Sequence, residues 1–467
     1  MHACTCRTEH DLLGQMALPA DALYGIHTQR ARDNFAISGV PIGQFPELVR
    51  ALADVKQAAA EANHALGILT ADKARAIAAA CAALRRGEHH EQFVVDMLQG
   101  GAGTSTNMNA NEVIANLALE HMGRARGDYA WLHPNEDVNL SQSTNDVYPT
   151  ALRLALHAAG RRLLDALELL RAAFQERGQA FAGVIKMGRT QLQDAVPMTL
   201  GQEFGAFAGM VDAGGRSLAD ALDGLLEINL GGTAIGTGLN APPGYAACVR
   251  ERLARLSGLA LVTAPDLVGA TQDTDALVAL SGACKRIAIK LSKTCNALRL
   301  LASGPRAGLG DIELPALQAG SSIMPGKVNP VIPEVVNQIA FEVIGSDLTV
   351  CMAAEAGQLQ LNAFEPVIAL ALLRSLRRLE AGCRVLATRC VAGIRANEAA
   401  LHARVRDSIG LVTALSPVLG YERAGSLARA ARDSGRGVAE LVLERGWMDA
   451  DELEAALRPG RLAGLEC

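Results

Sequence analysis

Apolar residues along this 467-residue chain recur mostly at three- and four-residue steps, the spacing that lines up one buried face of a helix. Leu277, Leu280, Cys284, Ile287, Leu291 and Leu298 fall on one such stripe and predict a helix over 272–302. Comparable patterns predict long helices near 149–178, 196–226, 333–356 and 366–392. Pro149, Pro197 and Pro366 each stand in an expected first turn, where a missing N–H breaks no intrahelical bond. Elements of this length predict a bundle. At about 1.5 Å per residue a thirty-residue helix is roughly 45 Å long. That exceeds the needs of one compact domain, so the helices are expected to pack against those of other copies of the chain.

The pattern differs at the two ends. Residues 1 to about 45 are rich in turn formers and β-branched residues, which predicts short strands and loops; helical periodicity begins after Pro46 with Leu48, Leu52 and Val55. Past Ala396 the helices shorten, with Gly420 and Gly437 between them. The reading is therefore mainly α with three domains: a mixed, mostly helical one over 1–140, a central long-helix bundle over 141–395 and a small helical one over 396–467. The charge-free stretch from Ile228 to Val249 is long enough to span a bilayer. It carries Gly231, Gly232, Asn240, Pro242 and Pro243, so it is expected to be a buried loop, and no membrane partner is expected.

Composition narrows the function. Half the residues are hydrophobic but only 3% are aromatic, so the core is expected to be built from small aliphatic side chains. The net charge is −5, and no basic run is long enough to follow a phosphate backbone, which argues against nucleic acid. Glu9 and Asp11 precede any apolar run of signal-peptide length, so a cytoplasmic location is expected, with the ten cysteines reduced. Cys284, Cys295 and Cys351 lie in helical patterns as small apolar fillers. His2, Cys4, Cys6 and His10 place four potential ligands within nine residues, yet a ragged tail explains them equally well and no second cluster supports a site. No metal and no cofactor are expected.

Two strings mimic nucleotide motifs. Gly236 to Ala241 fits GxGxxA but is followed by Pro242-Pro243 instead of opening a helix. Gly320 to Lys327 has five residues between its glycines and Val328 where a phosphate loop needs Ser or Thr. No histidine occurs between His157 and His402, so the polar segments of the middle have no local imidazole base.

Four of those segments lie in turns beside helices: 100–107 (GGAGTSTN), 139–146 (NLSQSTND), 187–197 (MGRTQLQDAVP) and 320–330 (GSSIMPGKVNP). Ser, Thr and Asn here serve equally as helix N-caps or as donors to a bound anion. Arg189 with Asp194 reads as a loop ion pair or as part of a site. The 320–330 segment, glycines for bending and prolines for restraint, reads as a mobile lid. Many neutral donors, one lysine and no ligand cluster suit a small dicarboxylate. Removing a proton beside a carboxylate loads that carboxylate with charge, and hydroxyls at helix N-termini can meet it.

The 320–330 segment is similar to the signature of the fumarase/aspartase superfamily, and the resemblance covers nearly the whole chain. Within the superfamily, RTEHDLLG at 7–14, YGIHT at 24–28, GGAGTSTNMNANEV at 100–113 and NLSQSTNDVYPTA at 139–151 resemble the aspartate ammonia-lyases. Gln191 carries the sharpest difference, since class II fumarases have His after the matching threonine. The resemblance implies a homotetramer with a twenty-helix core and active sites shared by three subunits. It implies Ser321 as the base that takes a proton from C3 of L-aspartate. Thr104, Ser143, Thr144 and Thr190 would bind the β-carboxylate and stabilise the aci-carboxylate. Lys327 and Asn329 would hold the α-carboxylate, with Asn145 and Gln191 near the departing amino group. Two alternatives stay open: a class II fumarate hydratase, and a catalytically idle structural member like the lens crystallins. His133-Pro134-Asn135 resembles a secondary anion site of fumarases, but Glu136 and Asp137 follow, so a turn is the plainer reading.

Overall fold

The structure is a computed structural model and describes residues 6–462 and 464; His2 and Cys4 lie outside the described residues. It divides into two compact units. One holds the chain up to Leu164 with Ser217–Arg286 and Glu342–Leu379, and the other holds Asp165–Arg216, Ile287–Phe341 and the chain from Glu380 on. The division falls within five long helices: Thr144–Ala180, Leu200–Asp223, Asp275–Leu301, Val331–Glu355 and Glu365–Val385. The architecture is mainly α, and every described sheet has two strands.

In the first unit an antiparallel hairpin pairs Cys6–Asp11 with Gly14–Pro19, Cys6 opposite Pro19. Helices Ile26–Asn34, Pro46–Ala65, Ala71–Arg86 and Thr104–His121 follow. The first of these lies where the sequence predicts only strands and loops; it is short and weakly amphipathic, so periodicity does not announce it. Pro46 stands in the first turn of its helix, and Gly87, in the left-handed region, ends the next by donating to the carbonyls of Ala83 and Leu84. Leu48, Leu52, Val55, Ile77, Leu84, Val113 and Ile114 form the packed interior.

In the second unit strands Ile185–Thr190 and Gln193–Thr199 form a hairpin. Its Ile185 and Met187 are buried with Val405, Leu411, Leu415, Leu427, Val438 and Val442 of the short C-terminal helices. Phe174, Phe181, Phe204 and Phe207 form a ring cluster of three edge-on contacts and one tilted one, the ring centroids 5.2 to 6.1 Å apart.

Two proline expectations are corrected. Pro197 lies in a strand opposite Met187, and its helix starts at Leu200. Pro149 lies inside a helix that already begins at Thr144. A proline there strips the carbonyl four residues back of its donor; Asn145 O instead accepts from Asn229 Nδ2 at 2.9 Å. The 228–249 stretch is buried in its first part, from Ile228 to Thr233, and again at Tyr245 and Val249, where helix Tyr245–Ser257 starts within it. Among the described residues one helix, Val331–Glu355, is long and apolar enough to cross a membrane by length and composition.

Candidate active site

The first two polar segments meet in the first unit. Gly101, Ala102 and Gly103 all take positive φ (92°, 54° and 89°) and turn the chain into the helix that opens at Thr104. A side chain at Gly103 would strike the buried Tyr148 ring, its Cβ 2.5 Å from Cγ. Thr104 is exposed and donates from Oγ1 to Gly101 O at 2.7 Å. Three residues on, Asn107 Nδ2 donates to Thr144 Oγ1 at 3.2 Å and so ties the two segments together.

Ser143 stands at the start of the Thr144–Ala180 helix. Its N–H donates to Asp146 Oδ1 at 2.9 Å, and its Oγ accepts from Asn145 N at 3.3 Å, leaving the hydroxyl hydrogen to donate elsewhere. Asn145 is held in place by its Nδ2, which donates to Ala234 O at 2.7 Å and leaves its Oδ1 to accept. Asp146 is buried, accepts from Gly231 N at 2.9 Å, and has its carboxyl pushed up to about 6 by burial, against the hydrogen bonds from Ser143 and Gly231.

Sequence reasoning missed what lies beneath this loop. Lys56 is fully buried and donates to Asn139 Oδ1 and Gln142 Oε1, each at 2.9 Å. Asn107 and Asn111 donate to the same Asn139 oxygen at 3.1 and 3.2 Å. Burial pulls the lysine down to about 7, with Asp146 pulling back up. Lys56 sits in a continuous alanine-rich helical pattern, and its only sequence signal is a charge on the apolar face. Asn229 and Ala234 were likewise hidden inside the false nucleotide string's neighbourhood.

The remaining segments lie in the second unit. Thr190 pairs with Gln193 across the hairpin turn, and Thr190 and Gln191 are exposed at its tip. Arg189 lies 4.0 Å from Asp194 but makes its close bond, 2.7 Å, to Asp311. The 320–330 loop closes on itself: Gly320 N donates to Lys327 O at 2.8 Å and Asn329 Nδ2 donates to Gly320 O at 2.7 Å. A Cβ at Gly320 would lie 2.6 Å from Lys327 O, so the closure needs glycine. Half-buried Ser321 accepts at Oγ from Ile323 N at 3.2 Å and Met324 N at 3.1 Å, two donors that favour an ionised oxygen. Lys327 is exposed, and the loop lines an open cavity of about 380 Å³ with Ser321, Met324 and Lys327. Asn329 thus acts as a clasp of the loop, with its second Nδ2 hydrogen and its Oδ1 left for other partners.

His133 is a turn residue: its Nδ1 accepts from Asn135 N and Glu136 N at 3.1 and 3.3 Å, and Asp137 is held by Lys73 at 2.7 Å. Among the described residues no group of His, Cys, Asp and Glu is placed to hold a metal ion.

A family model described as "Lyase" matches residues 14–345, and one described as "Fumarase C C-terminus" matches 411–464. The chain belongs to the fumarase/aspartase superfamily. Among its superfamily relatives, the aspartate ammonia-lyase of Pseudomonas fluorescens is 60% identical over 98% of this chain and 96% of the relative. That of Escherichia coli K12 is 52% identical over 96% and 94%. Among solved structures, a fumarate lyase:delta crystallin from Brucella melitensis bound to cobalt superposes with a TM-score of 0.96 at 56% identity, covering 98% of this chain and all (100%) of the other. A class II fumarase from Schistosoma mansoni gives 0.93 at 33% identity, over 98% and 99%.

Proposed function

We propose that this chain is an aspartate ammonia-lyase, which converts L-aspartate reversibly to fumarate and ammonia. The observation that carries the reading is identity of 52–60% over nearly the full length to aspartate ammonia-lyases, against 33% to a class II fumarase of the same fold. Gln191 at the hairpin tip agrees with it. A dicarboxylate substrate suits the hydroxyls of Thr104, Ser143, Thr144 and Thr190, all at or beside helix starts or a turn.

Ser321 acts as the base. The N–H groups of Ile323 and Met324 already point at its Oγ, so its alkoxide would be met by donors placed in advance. The alkoxide takes the C3 proton, and the electron pair moves into the β-carboxylate to form the aci-carboxylate, held by the hydroxyls. Collapse of that species forms the C2–C3 double bond and breaks the C2–N bond. Lys327 and Asn329 hold the α-carboxylate, and Asn145 and Gln191 face the leaving amine.

The active unit is a homotetramer with sites shared between copies. Thr104, Thr190, Gln191 and Lys327 all stand exposed on the single chain, as pieces of a site rather than a closed pocket. Helix Val331–Glu355 turns Phe341, Leu348 and Met352 outward at 63%, 63% and 65% exposure, with Ile344 between them, a stripe that a second copy would bury. The location is cytoplasmic, in keeping with the free cysteines among the described residues.

Incubation of the purified protein with L-aspartate is expected to yield fumarate's ultraviolet absorbance and equimolar ammonia. Turnover of L-malate without turnover of L-aspartate would refute the assignment.

A further inference from the structure

The turn that presents Gln191 is strained, and what holds it lies outside the turn. Gln191 and Leu192 both take left-handed backbone angles, φ 53° and 61°, in a two-residue hairpin turn usually filled by Asn-Gly. Non-glycine residues keep such angles only where their surroundings over-determine them.

Those surroundings centre on Asp311, which is fully buried. Arg189, the residue before Thr190, donates from Nη1 to Asp311 Oδ2 at 2.7 Å. Lys186, on the same strand, lies 3.9 Å from that oxygen, and Arg404 of helix Glu398–Asp407 pairs with Oδ1. The other side of the hairpin is also held, since Ser408 Oγ donates to Asp194 Oδ2 at 3.0 Å. The Asp311 backbone is fixed too: its N–H donates to Leu301 O at 2.8 Å, and its carbonyl accepts from Asn397 N at 3.0 Å. A buried carboxylate needs a paired charge, but this one pairs closely with two arginines, and Lys186, whose close partner is Glu203 at 2.5 Å, stands at its edge; Arg189 and Lys186 lie on the strand that ends at the turn. Every one of these residues belongs to the second unit.

We propose that Asp311 is a positioning residue: through Arg189 it sets the orientation in which the strained turn offers Gln191 to the amino group of the substrate. Neither Asp311 nor Arg189 touches substrate in this arrangement; both act through Gln191. The inference rests on the aspartate ammonia-lyase reading.

A double-mutant cycle on the full-length protein tests it, with kcat, KM and thermal unfolding read for L-aspartate deamination. Arg189→Met, Gln191→Ala and the pair make up the cycle, and Asp311→Asn is measured beside them. Arg189→Met leaves Asp311 paired with Lys186 and Arg404, so it serves even where Asp311→Asn does not fold. Wild-type turnover is read first: its absence counts against the activity, whereas missing coupling in an active enzyme counts against Asp311. Expected is a loss of kcat/KM on Arg189→Met, mainly through KM, more than about threefold larger in the wild-type background than in Gln191→Ala. A ratio of about three or less overturns the proposal, because a merely structural role weakens both backgrounds alike.

Discussion

A lysine ammonium taken out of water is costly unless it meets acceptors, and Lys56 meets two carbonyl oxygens of the 139–142 turn. It therefore pins the Ser143–Thr144 loop from below, and although burial pulls it down to about 7, its protonated form would place positive charge under the proposed carboxylate site. Replacing it with methionine would leave the Gln142 oxygen short of a donor, at a cost of about 1–3 kcal/mol, while Asn139 Oδ1 keeps the donors of Asn107 and Asn111. Lys56→Met is expected to lower the unfolding midpoint and to cut kcat/KM for L-aspartate at least about tenfold, roughly 1.4 kcal/mol of transition-state binding. Steady-state kinetics with urea unfolding check this; unchanged kinetics would confine Lys56 to a packing role.

Helix ends decide where this chain places its chemistry. The predicted 272–302, 333–356 and 366–392 helices are Asp275–Leu301, Val331–Glu355 and Glu365–Val385, because an apolar stripe in one long element is a local signal. The starts of the 149–178 and 196–226 helices were not legible, since Pro149 sits inside its helix with the help of a partner far along the chain, and Pro197 is drawn into a strand by pairing with Met187. Asn229 satisfies the carbonyl that Pro149 abandons across 84 residues of sequence, a pairing that no local pattern encodes. The same holds for the site: the polar turns could be read, but Lys56 and Asp311 are single charges whose meaning lies in contacts remote in sequence. Glu365 shows a helix end with a pH consequence. It is buried in the first turn of its helix, and burial pushes its carboxyl up to about 8 against the pull of Arg153. The folded chain thus binds this proton more tightly than the unfolded one. The stability it contributes is complete below about pH 4.5 and is lost as pH rises through about 8. Glu365→Gln is expected to flatten the fall of the melting temperature between about pH 5 and 8; an unaltered slope would show that Glu365 does not titrate there.

At the scale of the molecule, the exposed stripe on Val331–Glu355 and the exposed pieces of the site lead to one expectation. Burying an apolar side chain is worth about 1.5–3 kcal/mol, so a charge at Leu348 in each copy is expected to break the assembly and the activity together. Leu348→Glu checked by sedimentation should give smaller species without turnover; fully active single chains would separate the stripe from function. The most direct measurement is complementation. Ser321→Ala, which removes the proposed base in the second unit, and Thr144→Val, which removes a proposed carboxylate donor in the first, are each expected to abolish L-aspartate turnover. Dissociated, mixed and reassembled, the two inactive proteins should regain a measurable fraction of wild-type activity, because some of the proposed shared sites would then receive both intact segments. Turnover by Ser321→Ala alone, or a reassembled mixture as inactive as its parents, would contradict the account.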